Sequence, residues 1–169
     1  MGGAFGKHGH TGNVTPLAEA NIIGDPLAAE EVLAAAWPVT MVGLDVTQKT
    51  IMRTAYLQDL VTQAGAIGQF IWDISRLYAD FHQTLGLPDG FYVHDSSAVA
   101  YAIDPTLFSI EEGPVRVVTE GFAIGHTIQS KPGAWGERRS QRICNDVDSA
   151  RLLDLYRRVI IGAAATHKI

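Results

Sequence analysis

Apolar positions in this chain switch repeatedly between a helical and a strand-like period. Leu27, Ala28, Val32, Leu33 and Ala36 recur at helical spacing, predicting a helix that buries that stripe. Asp25-Pro26 opens it: the aspartate can accept from free amides, and proline sits where no donor is needed. Pro38 closes it, and Val39 to Leu44 form a nearly continuous apolar run, as a strand buried on both faces does. Ile51, Met52, Ala55, Leu57, Leu60 and Val61 predict a second helix, interrupted by Gly65 and Gly68. Phe70, Ile71, Ile74, Leu77, Tyr78, Phe81 and Leu85 continue at helical spacing beyond the break, to a turn at Leu87-Pro88-Asp89-Gly90.

Phe91 to Val93 read as a short strand running into His94-Asp95, with a helix over 96–103. Val115 to Thr119 alternates like a strand, and Ile124 to Ser130 can pair with it across Gly121. Leu152, Leu153, Tyr156, Val159, Ile160 and Ala163 mark a final amphipathic helix. The alternation of helices and strands predicts an α/β layered fold with a mostly parallel sheet, residues 1–169 forming a single partial domain. Clear core strands are few for such a sheet, and the chain opens on glycines at 2, 3, 6, 9 and 12, which read as a mobile loop. The expectation is that amino-terminal strands are missing.

Composition narrows the class. Hydrophobic residues make up 47% and charged residues 18%, an ordinary globular balance. The net charge is -5, and Arg138, Arg139 and Arg142 form the sole basic cluster, read as a solvated loop face, so no nucleic-acid partner is expected. Cys144 is the only cysteine, which excludes an intrachain disulfide and fits a reducing, cytoplasmic setting. No apolar run approaches the roughly 20 residues that span a bilayer, so no membrane partner is expected.

Two polar clusters carry chemistry. Gly12 to Asn21 sets Asn13, Glu19 and Asn21 within nine residues, an inventory suited to vicinal hydroxyls that each donate and accept. Taken alone, turn asparagines and an exposed carboxylate are the commoner reading. Val93-His94-Asp95-Ser96 lies at a strand end leading into a helix, where α/β proteins place ligands. Asp95 near a helix amino terminus suits a hard cation, and His94 can deliver a proton near neutral pH. By itself, a helix-capping aspartate beside a structural histidine is the commoner case. His8 and His10 lack neighbouring ligands and read as part of the glycine loop, which could close over a site.

The clusters taken together resemble the inosine–uridine-type nucleoside hydrolase family, specifically its carboxy-terminal half. The resemblance runs in order through Met1-Gly2-Gly3-Ala4, Gly12 to Asn21, Asp25 to Ala29, Met41 to Thr47, Val93-His94-Asp95 and Val115 to Gly121. It implies calcium-dependent hydrolysis of the N-glycosidic bond of ribonucleosides. Asn13, Glu19 and Asn21 would then bind ribose hydroxyls, with Met1 against the sugar. Asp95 would ligate Ca²⁺, and His94 would assist departure of the base. Tyr78, Phe81 and His82 would face the nucleobase, core packing being the competing expectation for the two aromatics.

Two departures qualify this. Ala20 stands where the family carries a bulky phenylalanine, and the family's amino-terminal Asp-x-Asp-x-x-x-Asp-Asp segment has no counterpart, since Asp45, Asp73 and Asp80 lack its spacing. The expectation is an isolated chain that holds Ca²⁺ weakly or not at all, with impaired turnover. A homo-oligomer or a complementing amino-terminal half is the expected partner. The alternative is a non-catalytic piece that binds a nucleoside or ribose, or only packs against a partner.

Overall fold

The computed structural model describes residues 1–166. In chain order the elements are α1 (Ala20–Gly24), α2 (Pro26–Ala34), β1 (Thr40–Met41), α3 (Leu44–Thr47), β2 (Ile51–Met52), α4 (Thr54–Thr84) and β3 (Phe91–Tyr92). There follow α5 (Asp95–Ile103), β4 (Phe108–Gly113), β5 (Val115–Val117), β6 (Thr127–Gln129), β7 (Gln141–Val147) and α6 (Ser149–Thr166). They fall into two compact units. The first comprises Met1–Gln48 and His94–Val147, and the second Lys49–Val93 and the chain from Asp148 onward.

The first unit is built on a three-stranded sheet in the order β1-β7-β4. β1 runs parallel to β7, whereas β4 pairs with β7 antiparallel, so the α/β expectation holds with a mixed sheet rather than a mostly parallel one. The antiparallel partner was hidden in the sequence. β4 reads Phe-Ser-Ile-Glu-Glu-Gly with only its end residues buried, and β7 buries the adjacent Ile143 and Cys144, so neither alternates. β5 and β6 form the expected hairpin, Val117 opposite Thr127.

Ile22, Leu33, Met41, Val115, Val117 and Ile143 make the apolar core of this unit. Asp25 caps α2 by accepting from Ala28 N at 2.9 Å, a contact worth about 1 kcal/mol. The predicted stripe on α2 is only partly buried: Leu33 is enclosed, but Leu27 is 66% and Val32 46% exposed. What fixes that helix is polar as well as apolar. Glu30 receives the Arg138 guanidinium at 2.8 Å and Arg116 Nε at 3.0 Å, while its Oε2 accepts from Val117 N. Arg138 is therefore a structural tie and not part of a solvated face. The apolar run predicted as one strand over 39–44 is a strand only at Thr40–Met41, because at Gly43 the chain passes so close to Gly3 O that a Cβ would lie 2.7 Å from it.

The second unit is a long helix and its partners. α4 breaks at Gly65 (φ 54, ψ −123), and a Cβ at Gly68 would lie 2.1 Å from Leu60 O, so the two halves meet backbone to backbone. Those are the two glycines that interrupt the sequence pattern. Leu57, Leu60, Ala64, Ile71 and Leu152 are buried here, and Tyr56 Oη donates to Leu153 O at 2.7 Å. Burial pushes the Tyr56 phenol well above its ordinary value. Asp89 accepts from Thr54 N and Thr54 Oγ1, capping α4 from outside the helix.

Candidate active site

Glu19 is the centre of the first cluster. Its carboxylate is 2% exposed and accepts from Gly3 N (3.0 Å), Ile22 N (3.2 Å) and Asn21 N (2.9 Å). It thus caps α1 and fastens the opening segment, the opposite of the exposed charge that spacing alone favoured. A carboxylate offers about four acceptor sites, so these three amides leave roughly one, on Oε1. Asn13 Oδ1 accepts from Ala20 N at 2.9 Å, which leaves its Nδ2 as a donor. Asn21 Nδ2 donates to Met1 O and Met1 Sδ at 3.4 and 3.3 Å, which leaves its Oδ1 as an acceptor. Asn13 and Asn21 are exposed, Met1 half-buried. Four side chains chosen from sequence therefore sit on one hydrogen-bonded scaffold.

Its turn depends on Gly12. A Cβ there would meet Thr15 O at 2.2 Å and the Ala18 backbone at 2.4 Å. The Thr15 hydroxyl closes the turn by accepting from Leu17 N and Ala18 N.

The second cluster stands in the same unit. His94 precedes α5, and Asp95, its first residue, is exposed in the first turn of that helix. His94 Nδ1 hydrogen-bonds Thr47 Oγ1 at 2.7 Å, and Thr47 is fully buried at the end of α3. Thr47 was not singled out in the sequence, although it closes the Met41–Thr47 motif. Asp45, on the same short helix, is also fully buried. Its oxygens accept from Phe5 N at 2.9 Å and Lys7 N at 2.6 Å. A carboxylate inside an apolar run was the available signal that it is a structural anchor.

The glycine-rich segment is fastened at several points. Besides the Asp45 contacts, Lys7 pairs with Glu111, His8 Nε2 lies 2.7 Å from Asn145 O, and His10 Nδ1 lies 2.8 Å from Gln48 Oε1. Neither histidine is placed as a metal ligand: among the described residues no group of three or more His, Cys, Asp or Glu could hold a metal ion.

Tyr78, Phe81 and His82 belong to the second unit and form an aromatic cluster there. The Tyr78 and His82 rings meet edge-on at 4.4 Å, Phe81 and His82 at 5.7 Å, and Tyr78 and Phe91 at 5.4 Å. Tyr78 and Phe81 remain 39% and 53% exposed, so they are not core residues of this unit. His82 is buried, with Nδ1 at 2.9 Å from Tyr78 O.

The α/β scaffold presents two amides, a helix-capping carboxylate and a His-Asp pair. The profile described as inosine-uridine preferring nucleoside hydrolase matches residues 1–154, and the chain belongs to that family. A plant nucleoside hydrolase superposes with a TM-score of 0.87 at 30% identity, covering 95% of this chain and 52% of that one. A purine-preferring ribonucleoside hydrolase from Gardnerella vaginalis gives 0.86 at 33%, covering 97% and 51%. A pyrimidine-specific ribonucleoside hydrolase of Escherichia coli is 33% identical over 170 residues, 99% of this chain and 52% of its own length. The chain spans about half the length of the relatives it matches.

Proposed function

We propose that this chain contributes the sugar-gripping and leaving-group side of a ribonucleoside hydrolase that splits a nucleoside into ribose and free base. One observation carries the reading: a continuous line of hydrogen bonds joins the two clusters. Glu19 accepts from Gly3 N, Gly3 O accepts from Leu44 N, and α3, which starts at Leu44, ends at the Thr47 hydroxyl that binds His94. Amide donor, amide acceptor, histidine and carboxylate are thereby fixed on one rigid frame, as a positioned acid and its substrate grip require.

In this reading Asn13 Nδ2, Asn21 Oδ1 and the remaining acceptor site of Glu19 bind ribose hydroxyls, Glu19 also holds Asn21 through its amide, and Met1 lies against the sugar. The C1′–N bond breaks toward a ribosyl cation-like state, water supplies the hydroxyl that ends on C1′ and loses its other proton to solvent, and His94 gives the departing base its proton and is reprotonated from solvent. Tyr78, Phe81 and His82 are proposed as base-contacting residues, with Ala20 leaving room beside the sugar or base. The base preference stays open, since one relative is named purine-preferring and another pyrimidine-specific.

Calcium does not fit the residues present. A Ca²⁺ ion takes about six to eight oxygens, and the described residues offer Asp95 without two further carboxylates or histidines around it. Asp95 is proposed as one ligand of an ion whose others come from elsewhere. Turnover by the chain alone is accordingly impaired. A reducing compartment such as the cytoplasm is proposed on the single cysteine, Cys144, which leaves no intrachain disulfide to form.

The test is release of base from uridine and inosine with Ca²⁺. The chain is assayed alone and together with the part of the Escherichia coli relative that it does not align with. Turnover only in the mixture, lost in His94→Ala, is the expected result. No turnover in a mixture that binds nucleoside would favour the second reading, a ribose- or nucleoside-binding piece without catalysis, for which the absent ligand set argues.

A further inference from the structure

We propose that the second half of α4 is a self-association surface, on which two copies of this chain pair antiparallel through one apolar stripe. The surface lies wholly within the second unit and does not rest on the catalytic reading.

Beyond the break at Gly65, α4 carries two unlike faces. Ile71, Ser75 and His82 are buried. Phe70, Ile74, Leu77, Tyr78 and Phe81, with Leu85 just past the helix end, recur at three- and four-residue steps and share an adjoining face. That face is open. Phe70, Ile74, Leu77 and Leu85 are each between 60 and 81% exposed, and Tyr78 and Phe81 are the least open of the six. At ~200 Å² for each large side chain, the stripe leaves about 700 Å² of mainly apolar surface in water. This exceeds the roughly 300–600 Å² patch of an ordinary monomer. A pair would bury about 1,400 Å² in all, inside the ~1,200–2,000 Å² of a stable interface.

The order of the stripe says what covers it. Its six positions follow at steps of 4, 3, 1, 3 and 4 residues, the same series from either end. An antiparallel copy therefore sets Phe70 against Leu85, Ile74 against Phe81 and Leu77 against Tyr78, with a two-fold axis between Leu77 and Tyr78. An isologous pair needs such a self-complementary patch, whereas a partner of different sequence does not. Two helices crossing at about 20° stay in contact over the ~24 Å that the stripe occupies. No charged side chain interrupts the six. Asp73 and Asp80 are exposed to one side of them, and the two-fold sets that side against its own copy, so screening salt tightens the pair. Tyr78 and Phe81 also belong to the face proposed to meet a base, so a paired molecule withholds them. The pairing needs neither of them to do so.

Sedimentation equilibrium of the chain at rising concentration reads the association. The expected result is a shift from monomer to dimer that strengthens at higher ionic strength. Leu77→Glu, beside the axis, should weaken it at least about tenfold, and Ile74→Glu likewise. Leu27→Glu, similarly open but on α2, is the control and should leave it unchanged. Circular dichroism checks that the variants fold; Ile74→Glu stands alone should Leu77→Glu fail. Cross-linking fixes the direction. In a mixture of Phe70→Cys and Leu85→Cys chains, a short bismaleimide should join one to the other, the native Cys144 being buried. It should not join Phe70→Cys to itself, since those sites lie roughly 22 Å apart along an antiparallel pair. A chain monomeric at every concentration, an association indifferent to both stripe variants, or cross-linking of like to like overturns the proposal. Base release plays no part in these readouts, so their failure leaves the catalytic reading where it stood.

Discussion

The first unit and the second unit present their candidate residues by opposite means. In the first, Asn13 and Glu19 are held by main-chain amides, Asn21 by the Met1 carbonyl and sulfur, and His94 by a buried hydroxyl. In the second, Tyr78, Phe81 and His82 are held by ring against ring, with Tyr78 and Phe81 half open to solvent. Directional bonds fix an atom to a few tenths of an ångström, as gripping a hydroxyl demands. Ring packing fixes a surface and tolerates rearrangement, which suits the base-contacting role proposed for these residues.

The sharpest way to break this contrast is at Glu19. Glu19→Ala leaves the amides of Gly3, Asn21 and Ile22 in a nearly closed site without an acceptor, at a cost of about 3 kcal/mol or more. Urea unfolding should show that loss. A cost below about 1 kcal/mol would mean that water replaces the carboxylate and that the frame is not built on it.

The second unit has its own weak point in backbone rather than polar contacts. Gly68→Ala drives a Cβ into Leu60 O, and should cost about 3 kcal/mol because neither backbone can retreat. Gly65→Ala meets open space and suffers only its positive φ, about 2 kcal/mol. Thermal unfolding of the pair should rank Gly68 as the worse. The reverse order would show that the break in α4, and not the close crossing, sustains this unit.

Both glycines were legible in the sequence as interruptions of a helical period, as was the Asp25-Pro26 start of α2. The grouping of Asn13, Glu19 and Asn21 was legible because spacing and order survive in a single chain, and the three fall on one hydrogen-bonded scaffold. What sequence could not supply was long-range pairing. The β4–β7 ladder joins segments whose apolar residues do not alternate, and the Arg138–Glu30 tie spans 108 positions. Thr47 and Asp45 were missed for the same reason. The Thr47 hydroxyl shows its worth only through a partner 47 residues away, and the sequence marked Asp45 only as a carboxylate inside an apolar run, its partner lying 40 residues off.

A smaller effect sharpens the first unit's side of the contrast. Thr47→Val keeps the shape of a fully buried residue and removes the bond to His94 Nδ1, costing about 1 kcal/mol. In a complemented, active assembly kcat should fall about tenfold with KM steady, because ring placement is felt in the transition state. Thr47→Ser, which restores the hydroxyl, should recover most of it. Equal kcat in all three would show that His94 is held by its other contacts, and that the directional bond is incidental.

The smallest effect separates the units by pH. Asp89, on the second unit's surface, accepts from the Thr54 hydroxyl, and that bond, helped by the Thr54 amide and Arg53, holds its carboxyl below the ordinary value of 3.8. A lowered folded value means that the stabilisation is fully present above the unfolded value and fades as pH falls through the folded one. Asp89→Asn should therefore cost about 0.5 kcal/mol at neutral pH, as a weakened helix cap does. The gap to the parent should begin to close as pH falls through 3.8 and vanish only below the lowered folded value, where both caps are uncharged. Urea midpoints across that range test it. A gap that persists in acid would mean the cap works through shape and hydrogen bonding alone, as the rings of the same unit do, and not through charge.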